Sequence, residues 1–518
     1  MVAADDAIHI LAQLMVRLLL LLQLSPPTAI YCQFNPHFVN PTERTAIVHL
    51  FEWTHADVET ECRQYLGPSR GFGAVQLSPV NEVRILPNRS WRERYEPISY
   101  KLAGRSGDEE QFRSMVRVCN RVGVRVYVEV VLNHMAGGSG AVRGTAGSIA
   151  YPASKDFPDA PYGGADFNDA CTVIESSETH EVRNCQLDDR PDLNLGLARV
   201  RQRMVDFLNK LIVMGVAGFN IRSAKHMWPY DLKTIYSKLE NLSTTAGFAA
   251  GSRPFIYQDV EDLSSESLFR KDYISLGMVS EYRFAYHMGA IMFKRKPFHY
   301  MVNLGTRLGY IPREKSIVFL DDPVLQRGQP GDDDLPRIVS YKHVRLYKIA
   351  LVFMMAHRYG TPVIMSSYDF KDSEAGPPID AKGHIMPVGW NEEDQCIGGW
   401  ICEHRWNVVQ NMLKFRSKVI DLPVTSWVDN GQNQLAFCRG KVGFVAINAE
   451  ISLSFDANVY TCLEAGIYCD IISGKVGDNE CTGRTVLVDK NGRADIFISS
   501  NEEEPYVVLL SSEKLVLG

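Results

Sequence analysis

Short apolar runs alternate with longer amphipathic stretches up to about residue 420 of the chain. The apolar runs are bounded by turn or polar residues, which is typical of buried strands. The predicted strands are residues 46–50, 74–77, 124–132, 218–221, 255–258, 317–320 and 361–365. The predicted helices between them are residues 109–122, 200–214, 230–242 and 344–357. This alternation predicts an α/β fold with a parallel sheet, either a closed (β/α)8 barrel or an open doubly wound sheet. Periodicity alone does not separate the two.

Two regions break the alternation. Residues 136–199 are rich in Gly, Pro, Asp and Asn, which predicts a loop-rich excursion between one strand and the following helix. After about residue 420 the apolar runs become short and alternating, with Gly, Asn and Asp between them, which predicts an antiparallel β domain. The runs that carry this prediction are residues 434–437, 442–447, 485–488 and 494–498.

The N-terminal segment has the pattern of a secretory signal. Arg17 precedes the run Leu18 to Leu22, and small and turn residues follow it. The run is too short to span a bilayer, and cleavage near Gln33 is expected. Translation could begin at Met1 or at Met15, because the acidic residues before Met15 are unusual ahead of a signal. The alternative is a buried N-terminal helix.

Composition and cysteines support an extracellular protein. The net charge of −6 and the 22% of charged residues argue against a nucleic-acid or membrane-surface binder. Eleven cysteines suggest disulfide bonds, and ten remain if Cys32 leaves with the signal. Spacing alone does not fix their pairing, although three close pairs suggest local bridges. These pairs are Cys171/Cys185, Cys396/Cys402 and Cys469/Cys481.

Four segments resemble the strand motifs of animal-type α-amylases. Residues 124–134, 215–229, 251–260 and 317–328 resemble the third-, fourth-, fifth- and seventh-strand motifs, and residues 47–53, 93–95 and 402–406 match in the same order. The resemblance implies a (β/α)8 barrel, an inserted calcium-binding domain after the third strand and a C-terminal antiparallel β-sandwich. The expected divisions are a signal peptide (1–32), barrel (33–132), inserted domain (133–199), barrel (200–420) and β domain (421–518).

All three catalytic positions that the resemblance implies hold residues that differ from those of the family. In the family, a carboxylate ending the fourth strand is the nucleophile, a Glu ending the fifth is the general acid and an Asp after the seventh stabilises the transition state. Here these positions hold Arg222, Asp259 and Val324. A guanidinium is always protonated and has no nucleophilic oxygen, so we expect no amylase activity. Rescue would require relocated acids; the nearby ones are Glu129, Glu261, Asp262, Asp321 and Asp322.

The sugar-contacting positions are only partly kept. The resemblance implies sugar contacts for Trp91, Tyr95, His134, Lys225 and His226. The tryptophan expected beside Trp91 is an arginine, and the Gly-rich loop after the seventh strand is an acidic segment at residues 329–335. Packing at the barrel rim is the alternative role for Trp91 and Tyr95.

The resemblance also implies a calcium site, a chloride site and a set of disulfide bonds. The calcium ligands would be Asn133, Arg183, Asp192 and His226, with Arg183 and His226 contributing main-chain carbonyls. The implied disulfides are Cys62–Cys119, Cys171–Cys185, Cys396–Cys402 and Cys469–Cys481, which leaves Cys438 and Cys462 as a further candidate pair.

The expected chloride position has changed at two of its three ligands. It would comprise Asn220, Asp322 and Arg345, so one cationic ligand is missing and a neutral one has become an anion. We predict that chloride binding is lost and that Asp322 pairs with Arg345 and Arg222, with Asp259 as a second partner for Arg222. The alternative is that Arg222 bends into the cleft and stays solvated.

Three functions follow from the sequence. The leading one is a secreted, monomeric, catalytically inactive α-amylase homologue that binds starch, glycogen or maltooligosaccharides, or acts through a protein partner. The second is an active α-1,4-glucan endohydrolase that uses displaced acids. The third is a structural or recognition protein without sugar affinity. No nucleic-acid or membrane partner is expected.

Overall fold

The computed structural model describes residues 34–68, 71–171, 178–262, 268–328 and 337–516. The predicted signal peptide, its cleavage site and the acidic segment at 329–335 lie outside these ranges. Among the described residues, no helix combines the length and the apolar character needed to cross a bilayer.

Within the described ranges, eight parallel strands close into a barrel in which each strand pairs with the next and the last pairs with the first. The strands are β1 (Ala46–Leu50), β2 (Phe72–Leu77), β3 (Arg125–Val131), β4 (Gly218–Arg222), β5 (Phe255–Gln258), β6 (Met278–Ser280), β7 (Ser316–Val318) and β8 (Thr361–Ser366). The barrel prediction is confirmed over the doubly wound alternative. All strands except β6 coincide with predicted runs.

The barrel strands are buried on both faces, as expected when helices cover the outside of a parallel sheet. The helices are α1 (His55–Glu61), α2 (Glu109–Arg121), α3 (Thr179–Asn184), α4 (Ala198–Val213), α5 (Pro229–Ser237), α6 (Leu268–Tyr273), α7 (Tyr282–Met292), α8 (Val344–Ala356) and α9 (Asn407–Val419). α2 begins at a capping box in which Asp108 and Gln111 satisfy each other's backbone N–H groups. α5 has Pro229 in its first turn and ends at Ser237, so the predicted helix at 230–242 is too long.

The excursion between β3 and α4 contains short two-stranded ribbons, α3 and the Cys171–Cys185 disulfide. It is tied to the end of β3 by main-chain hydrogen bonds. The N–H of Leu193 donates to the carbonyl of Asn133 at 2.9 Å, and the N–H of Met135 donates to the carbonyl of Pro191 at 3.2 Å. The segment therefore packs directly against the carboxyl end of the barrel.

An antiparallel β domain follows α9, as predicted. Its strands are β9 (Val424–Asp429), β10 (Gln434–Arg439), β11 (Gly443–Asn448), β12 (Phe455–Tyr460), β13 (Gly466–Cys469), β14 (Thr485–Val488), β15 (Arg493–Ile498) and β16 (Tyr506–Leu510). They form a four-stranded sheet in the order β9-β10-β11-β16 and two antiparallel pairs, β12 with β15 and β13 with β14.

The β domain is joined to the barrel by a buried arginine on β10. Arg439 is fully buried, and its guanidinium donates to the carbonyl oxygens of Val419 (2.6 Å), Leu422 (3.0 Å) and Ala356. These acceptors lie at the carboxyl-terminal ends of α9 and α8, where carbonyl groups have no partner within the helix. One side chain of the β domain thus caps two helices of the barrel.

Five disulfide bonds join cysteines of the described chain. The four pairs that the resemblance implies are confirmed, and Cys438–Cys462 forms as well.

Candidate functional site

The end of β4 directs two polar side chains into the barrel. Side chains alternate along a strand, so Asn220 and Arg222 face the barrel interior while Phe219 and Ile221 face the surrounding helices. Asn220 and Arg222 line an internal cavity, as this alternation requires. Parallel strands end at the same rim, so Arg222 meets the residues that follow β5 and β7.

Arg222 lies at the centre of a group of carboxylates. Its Nη1 atom forms an ion pair with Asp259 and lies 3.7 Å from Asp322 Oδ2 and 3.8 Å from Glu129 Oε1. Its Cζ atom lies 5.2 Å from the centre of the Tyr95 ring. The side chain is 11% exposed, so the predicted alternative of a solvated Arg222 is wrong. The buried carboxylates compensate the buried guanidinium charge.

Asp259 is held in place as the main partner of Arg222. Its N–H donates to the carbonyl of Ile221 at 2.9 Å, which places it beside Arg222 at the barrel rim. Its Oδ1 atom accepts a hydrogen bond from the Ser280 hydroxyl at 2.7 Å. Burial raises the pKa of Asp259 to about 6, although Arg222 acts in the opposite direction. Asp259 is therefore a carboxylate at neutral pH, with both oxygens engaged.

Glu129 lies in the middle of β3, deeper inside the barrel than the rim at which Arg222 stands. It is fully buried and accepts hydrogen bonds from Gln76 Nε2 at 2.8 Å and from the Tyr95 hydroxyl at 3.1 Å. His49 Nε2 lies 3.5 Å from Glu129 Oε1, and burial lowers the pKa of this histidine to about 3, which keeps it neutral. Glu129 is thus an internal acceptor that no large substrate can reach.

The loop after β7 supplies the third carboxylate. Asp322 Oδ1 accepts a hydrogen bond from the N–H of Leu325 at 2.7 Å, and the Tyr282 hydroxyl lies 3.5 Å from Oδ2. Val324, in the same loop, is half-buried against the core. It brings no charge to the position expected for a transition-state stabiliser.

The predicted ion pair between Asp322 and Arg345 is wrong. Arg345 lies on α8 and extends to the β domain, where it donates to the carbonyls of Glu502 (2.9 Å) and Ser500 (3.0 Å). Arg345 does not line the cavity next to Asp322; the apolar side chain of Val363, on β8, is part of that lining. Arg345 therefore does not belong to the expected chloride position, and Arg222 pairs mainly with Asp259 rather than with Asp322.

Trp91 is covered on its ring faces. It is 3% exposed, and its indole N–H donates to the carbonyl of Ser373 at 2.9 Å. The guanidinium groups of Arg327 and Arg92 lie 4.6 Å and 5.0 Å from its ring centre. Cation–π contacts of this kind stabilise the packed arrangement. The structure therefore places Trp91 in rim packing, the alternative to sugar stacking.

The other predicted sugar-contacting residues form internal hydrogen bonds. His134 is buried, with Nε2 lying 3.1 Å from the carbonyl of Tyr95, and burial lowers its pKa to about 3. Lys225 Nζ donates to the carbonyl of Glu261 at 3.0 Å. Lys225, His226 and Tyr95 are half-buried, so each keeps part of its surface open to the rim.

The predicted calcium ligands form two pairs, Asn133 with Asp192 and Arg183 with His226, each joining the barrel to the excursion. Asn133 is buried, and its Oδ1 atom has no hydrogen-bond partner. Burial raises the pKa of Asp192 to about 7, while its hydrogen bonds to Asn133 and Asn168 act in the opposite direction. His226 Nδ1 lies 2.8 Å from the carbonyl just before Arg183, which brings these two chain segments together.

This donor set suits calcium better than a softer metal. In the part of the chain that the structure describes, no three His, Cys, Asp or Glu side chains form a metal-binding cluster. A site here would depend on amide, carboxylate and carbonyl oxygens, which are the ligands of calcium. The orphaned Asn133 Oδ1 and the buried Asp192 carboxyl fit such an ion.

Comparisons with known proteins cover nearly the whole chain. The family model described as "Alpha amylase, C-terminal all-beta domain" matches residues 425–512. The alpha-amylase-related proteins of Drosophila sechellia and Drosophila melanogaster are 45% and 44% identical over 479 residues, 92% of this chain and 95% of theirs. A mutant α-amylase I from Eisenia fetida, solved in complex with maltohexaose, is 37% identical with a TM-score of 0.85, over 90% of this chain and 97% of that one.

The chain belongs to the animal-type α-amylase family. Its barrel and β domain therefore have known relatives. In this α-amylase homologue, the expected nucleophile and general-acid positions form an ion pair with each other.

Sequence reasoning missed two residues of this α-amylase-family site. Ser280, which holds Asp259, lies on the three-residue strand β6 that the apolar pattern did not reveal. Arg327 was not assigned a role, although its guanidinium covers Trp91. The sequence offers no signal for the second, because the aromatic rings that Arg327 contacts are distant from it along the chain.

Proposed function

We propose that this chain is a secreted, non-hydrolytic member of the α-amylase family that recognises α-glucans such as starch, glycogen or maltooligosaccharides without cleaving them. The observation that carries the absence of hydrolysis is the Arg222 guanidinium, which occupies the expected nucleophile position and forms an ion pair with Asp259. Glucan recognition rests on the related α-amylase I of Eisenia fetida, a mutant of which was solved with maltohexaose. A retaining glycosidase needs two carboxyl groups about 5 Å apart, one of them free to attack the sugar. Here a guanidinium takes the place of one of the two and is paired with the carboxylate of the other.

Displaced acids do not restore that arrangement. Glu129 is fully buried, and Asp322 is bound to the N–H of Leu325. Glu261 is half-buried and accepts a hydrogen bond from the Tyr286 hydroxyl at 2.9 Å, so it is the most accessible alternative acid. A lone acid can protonate a leaving group but cannot also form the covalent intermediate.

Secretion and calcium binding complete the proposal. Five disulfide bonds suit an oxidising extracellular environment. Side-chain oxygens of Asn133 and Asp192 and main-chain carbonyls of Arg183 and His226 would hold the calcium ion. The ion would stabilise the junction between the excursion and the barrel, where these residues lie.

A reducing-sugar assay on soluble starch tests the absence of hydrolysis. We expect no turnover by the unmodified protein, and we expect turnover to appear in the variant Arg222→Asp/Asp259→Glu/Val324→Asp. A turnover number of about 1–1000 per second for the unmodified protein would overturn the proposal. If that occurs, loss of turnover in Glu261→Gln would identify the displaced acid.

Calorimetry with maltoheptaose tests recognition. A saturable binding isotherm supports glucan recognition. No heat at millimolar sugar, with a folded protein, would favour the third function, a protein without sugar affinity.

A further inference from the structure

A small internal cavity lies next to Arg222, inside the barrel. Its volume is about 20 Å³. A cavity of this size has room for one water molecule or one small ion. Its polar lining comes from His49, Gln76, Asn220, Arg222, Tyr257, Asp259, Ser280, Asp321 and Asp322.

One of these polar groups has an unused acceptor atom. Asn220 is 3% exposed, and its Oδ1 atom has no hydrogen-bond partner among the described residues. A buried acceptor without a partner costs about 1–3 kcal/mol, so native structures rarely leave one unfilled. A hydrogen-bond donor or a cation in the cavity would remove the cost of leaving Asn220 Oδ1 unpaired.

The charges around the cavity point to the same class of ligand. One guanidinium, Arg222, faces the carboxylates of Asp259, Asp322 and Glu129 within 4 Å of its Nη1 atom. His49 adds no charge, because burial keeps it neutral. Burial raises the pKa of Glu129 and of Asp321, which favours their protonated forms. Asp259 and Asp322 alone still outnumber the one guanidinium, so an anion here would meet negative charge and the chloride that the resemblance implies does not fit. A buried surplus of negative charge is unfavourable until a cation or a proton balances it.

We propose that this cavity binds a monovalent cation of the size of Na⁺. Asn220 Oδ1, the Ser280 hydroxyl oxygen and a carboxylate oxygen of Asp259 or Asp322 are the ligands, since small hard cations take oxygen donors. The barrel thus keeps the position of an ion-binding site but reverses the sign of the ion. This inference does not depend on whether the protein cleaves or binds glucans.

The experiment compares thermal unfolding in Na⁺, K⁺ and N-methyl-D-glucamine chloride at pH 7.5 and constant ionic strength. We expect a saturable rise in Tm of about 1–2 °C with Na⁺, because an ion bound only by the folded state stabilises it. The organic cation, which cannot enter the cavity, gives no rise. The comparison is repeated with the sulfate salts of Na⁺ and N-methyl-D-glucamine, so that an effect of the cation can be separated from an effect of chloride.

The variant Asp322→Asn provides the matched control. It preserves the acceptor for the Leu325 N–H but removes one negative charge, so we expect the rise in Tm with Na⁺ to disappear. If this variant does not fold, the cation series on the unmodified protein still decides the question. Equal Tm values in all three cations would show that the cavity holds only water or a proton, and the proposal would be wrong. A rise that follows chloride rather than the cation would also overturn it.

Discussion

Replacing Arg222 by Met should destabilise the protein strongly, because the variant keeps the buried carboxylates and loses their cation. Asp322 and Glu129 lie 3.7 and 3.8 Å from the guanidinium, and Asp259 is in direct contact with it. With an effective dielectric constant near 20, each of the two longer contacts corresponds to about 4 kcal/mol of gross attraction. Desolvation offsets much of this sum. Removing one partner of a buried pair nevertheless costs about 3–5 kcal/mol, which is the expected loss in the free energy of unfolding at pH 7.5.

The loss should shrink in acid. Burial already raises the pKa of Asp259 to about 6, and losing Arg222 should raise it further. A carboxyl group whose pKa is higher in the folded state penalises folding when the pH is above that value. The penalty fades as the pH falls through it. The destabilisation caused by Arg222→Met is therefore expected to be smaller at pH 5 than at pH 7.5.

Urea unfolding followed by tryptophan fluorescence measures the free energy of unfolding at pH 7.5 and at pH 5. Urea is uncharged, so it leaves the ionic strength unchanged. Arg327→Met is the matched control. That arginine donates to the Pro323 carbonyl and the Tyr368 hydroxyl and packs on aromatic rings, so its loss should not depend on pH in this range. A destabilisation by Arg222→Met below about 1 kcal/mol at pH 7.5 would refute the reasoning. An equal loss at both pH values would refute it as well.

Two further predictions concern the inserted domain and the disulfide bonds. Chelation by EDTA should lower the Tm of the unmodified protein but change that of Asp192→Asn much less; an unchanged Tm in the unmodified protein would argue against a calcium site. Replacing Cys62 and Cys119 by Ala opens a link that spans 57 residues and should cost about 4 kcal/mol of unfolding free energy, measured by urea titration. The same change at Cys396 and Cys402, 6 residues apart, should cost only about 2 kcal/mol, and the reverse order would contradict the chain-entropy argument.

The architecture could be predicted because the alternation of apolar runs and amphipathic stretches is repeated along the chain. Seven of the barrel strands coincide with apolar runs, since a strand covered on both faces has no polar alternation to obscure it. The missed strand, Met278–Ser280, has only three residues, and its last residue is the serine that bonds to Asp259. A strand that short carries too little pattern to distinguish it from a loop.

The identities of the site residues could be predicted, but their partners could not. The family resemblance pointed to Arg222 and Asp322, and the expectation of a lost nucleophile combined that resemblance with the chemistry of a guanidinium. Arg345 was assigned to the wrong place because its side chain leaves α8 toward the β domain, a direction that the order of residues does not specify. The covering of Trp91 by Arg327 was equally hidden, because it joins two residues that are more than 200 positions apart in the sequence.

The hydrogen bonds of Arg439 to the ends of two barrel helices constrain how such a protein can evolve. A barrel that lost the β domain would expose the carbonyl ends of two of its helices, and an isolated β domain would bury a cation without acceptors. Neither half is a viable intermediate for the loss of the other. The need for a folded barrel is therefore enough to retain the attached β domain.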